Sequence, residues 1–282
     1  MKRLLPAAGG VALAALAGCK QGVLDPKGPI ALAEFQILAD STAIMLAIVV
    51  PTIVATLGVA FWFRASNRRA RYLPDFEHSG RIELLVWAIP IMTILLVGGV
   101  AWVSAHDLDP KRPIESAGRP LRVQVVSLDW KWLFIYPDEG VATVNQLTIP
   151  VGRPVTFELT GAGVMNSFFV PQLGSQMYTM AGMVNTLNLQ ADHAGRYQGL
   201  SAEFSGDGFA DMNFTLDAVD DAAFAKWLAA ARAAARPFDL ATYDELARPS
   251  TAVQPATYGL ADSDIFDSIV RKAALDCRGK RQ

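Results

Sequence analysis

Cysteine is nearly absent from this 282-residue chain. The two present, Cys19 and Cys277, lie at opposite ends and outside the stretch that reads as a folded outer domain, which excludes a disulfide framework. Histidine is as scarce: His78, His106 and His193 are spread widely, so no short segment offers a His/Cys cluster with metal-ligand spacing. A surplus of positive charge is missing too. With 25 Lys and Arg against 27 Asp and Glu, the net charge is -2 and the pI is near 5.9, so the electrostatic footprint of a nucleic-acid binder is lacking. No P-loop, dinucleotide fingerprint or nucleophile and base pair is visible, and nothing marks the chain as an enzyme by itself.

Apolar sequence is what the chain has in quantity. At 52% hydrophobic residues and a mean hydropathy of +0.27, it is too apolar for one soluble domain and too polar for a polytopic transporter. A few membrane spans joined to a water-exposed domain fit this balance. Residues 1 to 18 carry Lys2 and Arg3 ahead of a short run of apolar and small residues, the layout of a signal peptide. The run ends in Leu16-Ala17-Gly18-Cys19, similar to a bacterial lipobox, in which the cysteine is acylated and becomes the mature amino terminus. An acyl-free Cys19 in the mass of the mature chain would remove this expectation.

After an outer segment at 19 to 42, residues 43 to 63 run without a charge, AIMLAIVVPTIVATLGVAFWF. At ~1.5 Å of rise per residue such a run crosses a hydrocarbon core of ~30 Å. A second span is expected at 82 to 105, interrupted only by Glu83 near its start and flanked by Trp87 and Trp102. The loop at 64 to 81 holds Arg64, Arg68, Arg69, Arg71 and Arg81 against Asp75 and Glu77. Arginine-rich short loops stay cytoplasmic, which places both termini outside, in agreement with an exported lipobox.

Beyond a proline-containing linker at 106 to 120 the pattern changes period. Short β-branched and aromatic runs at 121 to 128, 130 to 136, 144 to 150 and 154 to 160 are separated by turn residues. Further strands are expected around 166 to 170, 184 to 190, 196 to 200 and 212 to 216, giving an antiparallel β-sandwich over 121 to 219. The remainder, 220 to 282, opens with an amphipathic helix that Asp220 and Asp221 cap and that places Phe224, Trp227, Leu228 and Ala231 on one face. An extended arm with a short helix near 262 to 273 follows, expected to lie along the sandwich or a partner.

Residues 164 to 212, from VMNSFFVPQ to SAEFSGDGFADM, resemble the ligand region of the cupredoxin domain in subunit II of the haem-copper oxidases. The lipobox, the ELLVWAIP start of the second span, the DWKWLFIYP strand and the tail at 220 to 270 are similar to the subunit II family of cytochrome bo-type ubiquinol oxidases. The resemblance implies a two-helix membrane hairpin, an all-β cupredoxin-like Greek-key sandwich and a C-terminal helical arm. In the cytochrome c oxidase form, two Cys, two His, a Met and a Glu carbonyl hold a dinuclear copper centre. Laid on that pattern, the His positions are Asn166 and Phe209, the Cys positions are Ser201 and Ser205, and only Glu203 and Met212 match. Hydroxyls cannot replace bridging thiolates and a phenyl ring has no lone pair, so no metal is expected in this subunit.

The resemblance further implies a bacterial inner-membrane complex that oxidises quinol, reduces oxygen to water and pumps protons. Its haems and copper belong to subunit I, and subunits III and IV, the bilayer and quinol are the other partners. At the position of Glu83 it implies the mouth of the K proton channel; by its residues alone, Glu83 also reads as an interfacial carboxylate, paired with Arg81 or solvated. Trp130 and Trp132, in the aromatic strand near which electrons arrive in copper-bearing relatives, are expected to act here through packing. So are Met177, Met180 and Met183, which no Cys or His accompanies. The rival is a free-standing lipoprotein whose degenerate sandwich binds a ligand or assists assembly. Co-purification with a multi-span haem subunit separates the two.

Overall fold

A computed structural model describes residues 22–71, 73–116, 118–233, 236–262 and 264–279, with side chains as far as Leu275. The signal segment and Cys19 lie outside the described residues. The chain forms two units, one of residues up to Ala33 and from Pro110 onward, the other Glu34–Asp109.

The second unit is the hairpin. Helix α1 spans Pro29–Trp62 and α2 spans Gly80–Asp107, both long and apolar enough to cross a membrane. The run at 82 to 105 falls inside α2, and that at 43 to 63 inside α1 except for Phe63, which follows the helix end. α1 begins well before its apolar run because Pro29 is suited to a first helical position and ALAEFQILADS, although partly polar, is made largely of good helix formers. Apolar side chains point outward all round both helices, as with Leu57, Leu84 and Ile94. A helix that is apolar on every side needs lipid or another apolar partner around it.

The first unit is a sandwich of two sheets. The larger has the order β11-β12-β3-β2-β1-β5-β8 and the smaller β4-β10-β9-β6-β7. The strands are β1 (Leu121–Leu128), β2 (Lys131–Tyr136), β3 (Val141–Val144), β4 (Gln146–Pro150), β5 (Val155–Gly161), β6 (Asn166–Phe169), β7 (Met177–Thr179), β8 (Asn185–Leu189), β9 (Gly195–Ser201), β10 (Asn213–Val219), β11 (Arg236–Phe238) and β12 (Ala256–Leu260). The sandwich is mixed rather than wholly antiparallel: β1 runs parallel to β5, β4 to β10 and β11 to β12. Greek-key connections that cross from one sheet to the other bring such non-consecutive strands side by side.

The expected strand at 144 to 150 is two strands, divided at Asn145, whose φ of 54° is left-handed. Asparagine tolerates that region, and its amide repays the break. Asn145 Oδ1 accepts from the Trp132 N–H at 2.8 Å, and Nδ2 donates to the Val253 carbonyl at 2.8 Å.

Every residue of β2 is buried, and the alternation explains why. Trp132, Phe134 and Tyr136 face the core between the sheets, while Leu133 and Ile135 face a second core on the outer side. That outer core is closed by Phe238, Tyr243, Tyr258, Ile265, Phe266 and Ile269 of the tail. The arm therefore lies on the sandwich. It consists of α3 (Asp221–Ala233), β11, α4 (Leu240–Leu246), β12 and α5 (Ile265–Gly279), so it adds two short strands to the sheet edge as well as its helices. The Asp220 carboxylate caps α3 by accepting from the Ala223 N–H at 2.7 Å, and Phe224, Leu228 and Ala231 are buried with Trp227 packed beside them.

Two polar ties fasten the layers. The buried ammonium of Lys131 makes no ion pair with a carboxylate among the described residues and donates to the carbonyls of Asp129, Leu246 and Arg248 at 3.1, 2.8 and 2.8 Å. Burial pulls its pKa below that of a free lysine, and the three carbonyl dipoles, two at the end of α4 and one in the turn before β2, offset that cost. The second tie is the hydroxyl of Tyr136, which donates to the Thr148 carbonyl at 3.0 Å and accepts from the Thr148 N–H at 2.9 Å, joining β2 of one sheet to β4 of the other. Burial pushes this phenol's pKa up, so it stays protonated and able to donate. At the amino end, Lys27 N–H donates to Gln172 O and Lys27 O accepts from Asp192 N–H, both at 2.8 Å. Gly28 makes this approach possible, because a Cβ there would stand 2.1 Å from the Gln190 carbonyl oxygen.

Replacing Tyr136 by Phe leaves the Thr148 N–H and C=O facing an apolar interior. The loss is expected to be about 2 kcal/mol of stability, measured as a lower unfolding midpoint, and an unchanged midpoint would show that the tie contributes nothing.

Candidate functional site

The positions aligned with copper ligands lie at one end of the smaller sheet. β6 pairs with β9 through Phe168 and Ser201, and β9 with β10 through Leu200 and Asn213. That register brings the first residue of β6, Asn166, beside the last of β9, Ser201, and sets Met212 just ahead of β10. The Ser201 N–H donates to the Met212 carbonyl at 3.2 Å, and the Ala202 N–H to the Ser167 carbonyl at 2.9 Å. Asn166, Ser201 and Met212 are only 2, 3 and 1% exposed, so whatever they do is done away from bulk water.

Their side chains satisfy one another. Ser201 Oγ lies 3.1 Å from Asn166 Oδ1 and 3.2 Å from the Glu203 carbonyl, and its single proton serves these two acceptors. Asn166 Nδ2 donates to the Val164 carbonyl at 3.0 Å. Ser205 Oγ donates a long bond to Met212 Sδ at 3.9 Å. The Phe209 side chain takes no part in this network; it starts a single 3-10 turn and packs edge-on against the exposed Phe204, ring centroids 5.5 Å apart, while its carbonyl accepts from the Met212 N–H at 3.1 Å. The aligned positions are thus joined by hydrogen bonds, Phe209 through its backbone alone.

The donor set does not fit a dinuclear copper centre. One amide, two hydroxyls, a phenyl ring, a carbonyl and a thioether provide neither bridging thiolate nor imidazole. Among the described residues, no three of His, Cys, Asp and Glu are grouped so that they could hold a metal ion. What the arrangement does chemically is fill a metal-sized space with neutral groups that neutralise each other's polarity.

A feature without a signal in residue type alone holds the loop in place. Trp130 occupies the second position of the two-residue turn between β1 and β2, with φ at 64°, which is left-handed and costly for a bulky side chain. Its indole Nε1 donates to the Ser205 carbonyl at 3.1 Å, so the turn of the larger sheet clamps the loop of the smaller one. Gly208 forms the seat: a Cβ there would fall 2.4 Å from Trp130 Cδ2 and 2.6 Å from Thr251 Cγ2. The paired glycines of Gly206-Asp207-Gly208 were the visible hint. Trp132, by contrast, is fully buried among Phe168 and Phe214, with centroids at 5.5 and 5.7 Å.

The remaining expectations fall elsewhere. Glu83 sits in the first turn of α2, half-exposed, with Oε2 3.1 Å from His78 Nδ1; its partner is this histidine and not Arg81. A carboxylate there also faces the positive end of the helix dipole. Met177 packs on the core and Met180 is half-buried, whereas Met183 is exposed and does not serve packing within this chain. His193 is exposed, and its carbonyl accepts from the Tyr197 hydroxyl at 2.6 Å.

Gly208→Ala is expected to unseat Trp130, break the indole bond to Ser205 and cost on the order of 1–3 kcal/mol. Red-shifted tryptophan emission with a lowered unfolding midpoint would register it; unchanged emission would rule out the clamp.

Residues 138–219 match the model of the periplasmic domain of cytochrome c oxidase subunit II, and residues 232–274 match the COX aromatic-rich motif. The chain is 45% identical over 257 residues to the cytochrome bo(3) ubiquinol oxidase subunit 2 of Pseudomonas aeruginosa, covering 91% of this chain and 78% of that one. It is 46% identical over 260 residues to the ubiquinol oxidase subunit 2 of Acetobacter aceti, covering 91% and 84%. With the quinol oxidase subunit 2 of Bacillus cereus it shares 36% over 237 residues, 83% of this chain and 81% of the relative. Similarity at this level, over nearly all of a chain that pairs two apolar helices with a cupredoxin-like sandwich, shows that it belongs to the ubiquinol oxidase subunit 2 family.

Proposed function

We propose that this chain serves a proton-pumping terminal oxidase as a subunit with no redox centre of its own, in a complex that oxidises quinol and reduces oxygen to water. The observation that carries the reading is the Asn166, Ser201, Glu203 network, in which hydrogen bonds occupy the positions where a cytochrome c oxidase subunit II would bind two coppers. The names of the relatives, each a quinol or ubiquinol oxidase subunit 2, support the same donor. The chemistry is consistent. A water-soluble cytochrome must hand single electrons to an acceptor outside the membrane, whereas quinol dissolves in the bilayer and reaches the membrane subunits without one.

In this reading, subunit I carries the haems and copper, subunits III and IV complete the complex, and the hairpin docks this chain to subunit I. The chain sits in the bacterial inner membrane with both termini in the periplasm, and acylated Cys19 adds a lipid anchor to the two helices. Its own contributions are structural, together with proton uptake at Glu83. A half-exposed carboxylate in the first turn of a span, close to an imidazole, is placed to collect protons at the membrane surface.

Metal analysis of the assembled oxidase is expected to find no copper beyond that of subunit I, and the complex should oxidise quinol and not cytochrome c. Two further coppers in this subunit, or efficient oxidation of cytochrome c, would overturn the assignment. In the same preparation, Glu83→Ala should slow turnover and haem reduction severalfold. Unchanged rates would remove the proton role and leave the rest standing.

A further inference from the structure

Where α1 ends and α2 begins, the hairpin frames a cavity of about 710 Å³. Its apolar walls include Val59, Phe63, Phe76 and Ile82, each more than half exposed, and Arg64 and Arg71 also line it. Arg64 is held in place. Its Nε donates to Ser66 Oγ at 2.9 Å, its Nη1 to the Phe61 carbonyl at 3.2 Å, and its guanidinium carbon lies 4.0 Å from the Phe61 ring centre. Asn67, another lining residue, donates to the Trp62 carbonyl at 2.6 Å and so closes the end of α1. Arg71 has no ion-pair or hydrogen-bond partner among the described residues. Among the described residues, neither Asp75 nor Glu77 pairs with a loop arginine, and Glu83 is engaged by His78.

Orientation in the membrane accounts for arginines in such a loop, but not for an apolar cavity that two of them line. Apolar walls beside uncompensated guanidinium groups, at the level where a span leaves the hydrocarbon, match the two halves of a phospholipid. We propose that this cavity is a binding site for an anionic phospholipid, with its phosphate on Arg64 and Arg71 and an acyl chain along Val59, Phe63, Phe76 and Ile82. A free inorganic phosphate would meet the arginines but leave the apolar walls unused. The site is separate from the quinol chemistry, and its test does not depend on activity.

The test uses the assembled oxidase in nanodiscs of phosphatidylcholine alone or with phosphatidylglycerol, followed by native mass spectrometry of the lipid retained on this subunit. Phosphatidylglycerol should be retained in preference to phosphatidylcholine, and excess inorganic phosphate should not displace it. Arg64→Gln with Arg71→Gln should weaken retention roughly thirtyfold, about fivefold for each arginine. The charge-matched control, Arg68→Gln with Arg69→Gln, removes two loop arginines that do not line the cavity and should leave retention within a few-fold of the original. Equal losses in the two pairs, or no preference for phosphatidylglycerol, would overturn the site. Should the first pair fail to assemble, a photoactivatable phosphatidylglycerol on the unaltered complex decides the matter. An adduct within residues 59–82 is expected, and adducts only elsewhere would refute the proposal.

Discussion

Burial of both faces of one sheet is the constraint from which the rest of the outer domain follows. β1 and β2 place Val123, Val125, Trp132 and Phe134 toward the smaller sheet and Val126, Leu128, Leu133 and Ile135 toward the tail. A sheet that is apolar on its two sides cannot stand with one of them wet, at a transfer cost of roughly 25 cal/mol for each Å² of apolar area. The tail is therefore part of the fold: without Phe238, Tyr258, Phe266 and Ile269 the outer face of the central strands would be bare. The continuous apolar run from Trp132 to Tyr136 along β2, in place of alternation, is the sequence trace of this double burial.

That trace also marks the limit of what sequence could tell. The runs with β-branched or aromatic character became strands close to their expected bounds, because each has a core to face, save the one at 144 to 150, which is divided at Asn145. β7, β11 and β12 gave no such signal. Three to five residues long, they exist because a neighbouring edge pairs with them, which is tertiary context overriding local propensity. The break at Asn145 depends on hydrogen bonds to Trp132 and to Val253, the latter more than a hundred residues away, and no local pattern carries it. For the site, alignment with the oxidase pattern identified which positions matter, and their clustering at one end of the smaller sheet follows from strand register. Trp130 was legible as an aromatic but not as a left-handed clamp, since φ has no signature in a residue type that normally avoids that region.

The site illustrates how neutral hydrogen bonds hold a buried polar cluster in shape. The Asn166 amide, the Ser201 hydroxyl and the Glu203 carbonyl each have a partner, which lowers the desolvation penalty of the buried polar positions. Trp130 on Gly208 meanwhile fixes the loop from the other sheet, which a metal would otherwise do by ligation. The geometry of the cluster is held by neutral contacts.

The ammonium of Lys131 gives the arm a further property. It is anchored by peptide carbonyls and not by a carboxylate, and it is shielded from solvent, so mobile ions have little access to the attraction. Surface pairs such as Arg232 with Glu139 weaken as salt rises, while this buried tie does not. The arm's hold on the sandwich is thereby insulated from the ionic strength of the surrounding medium.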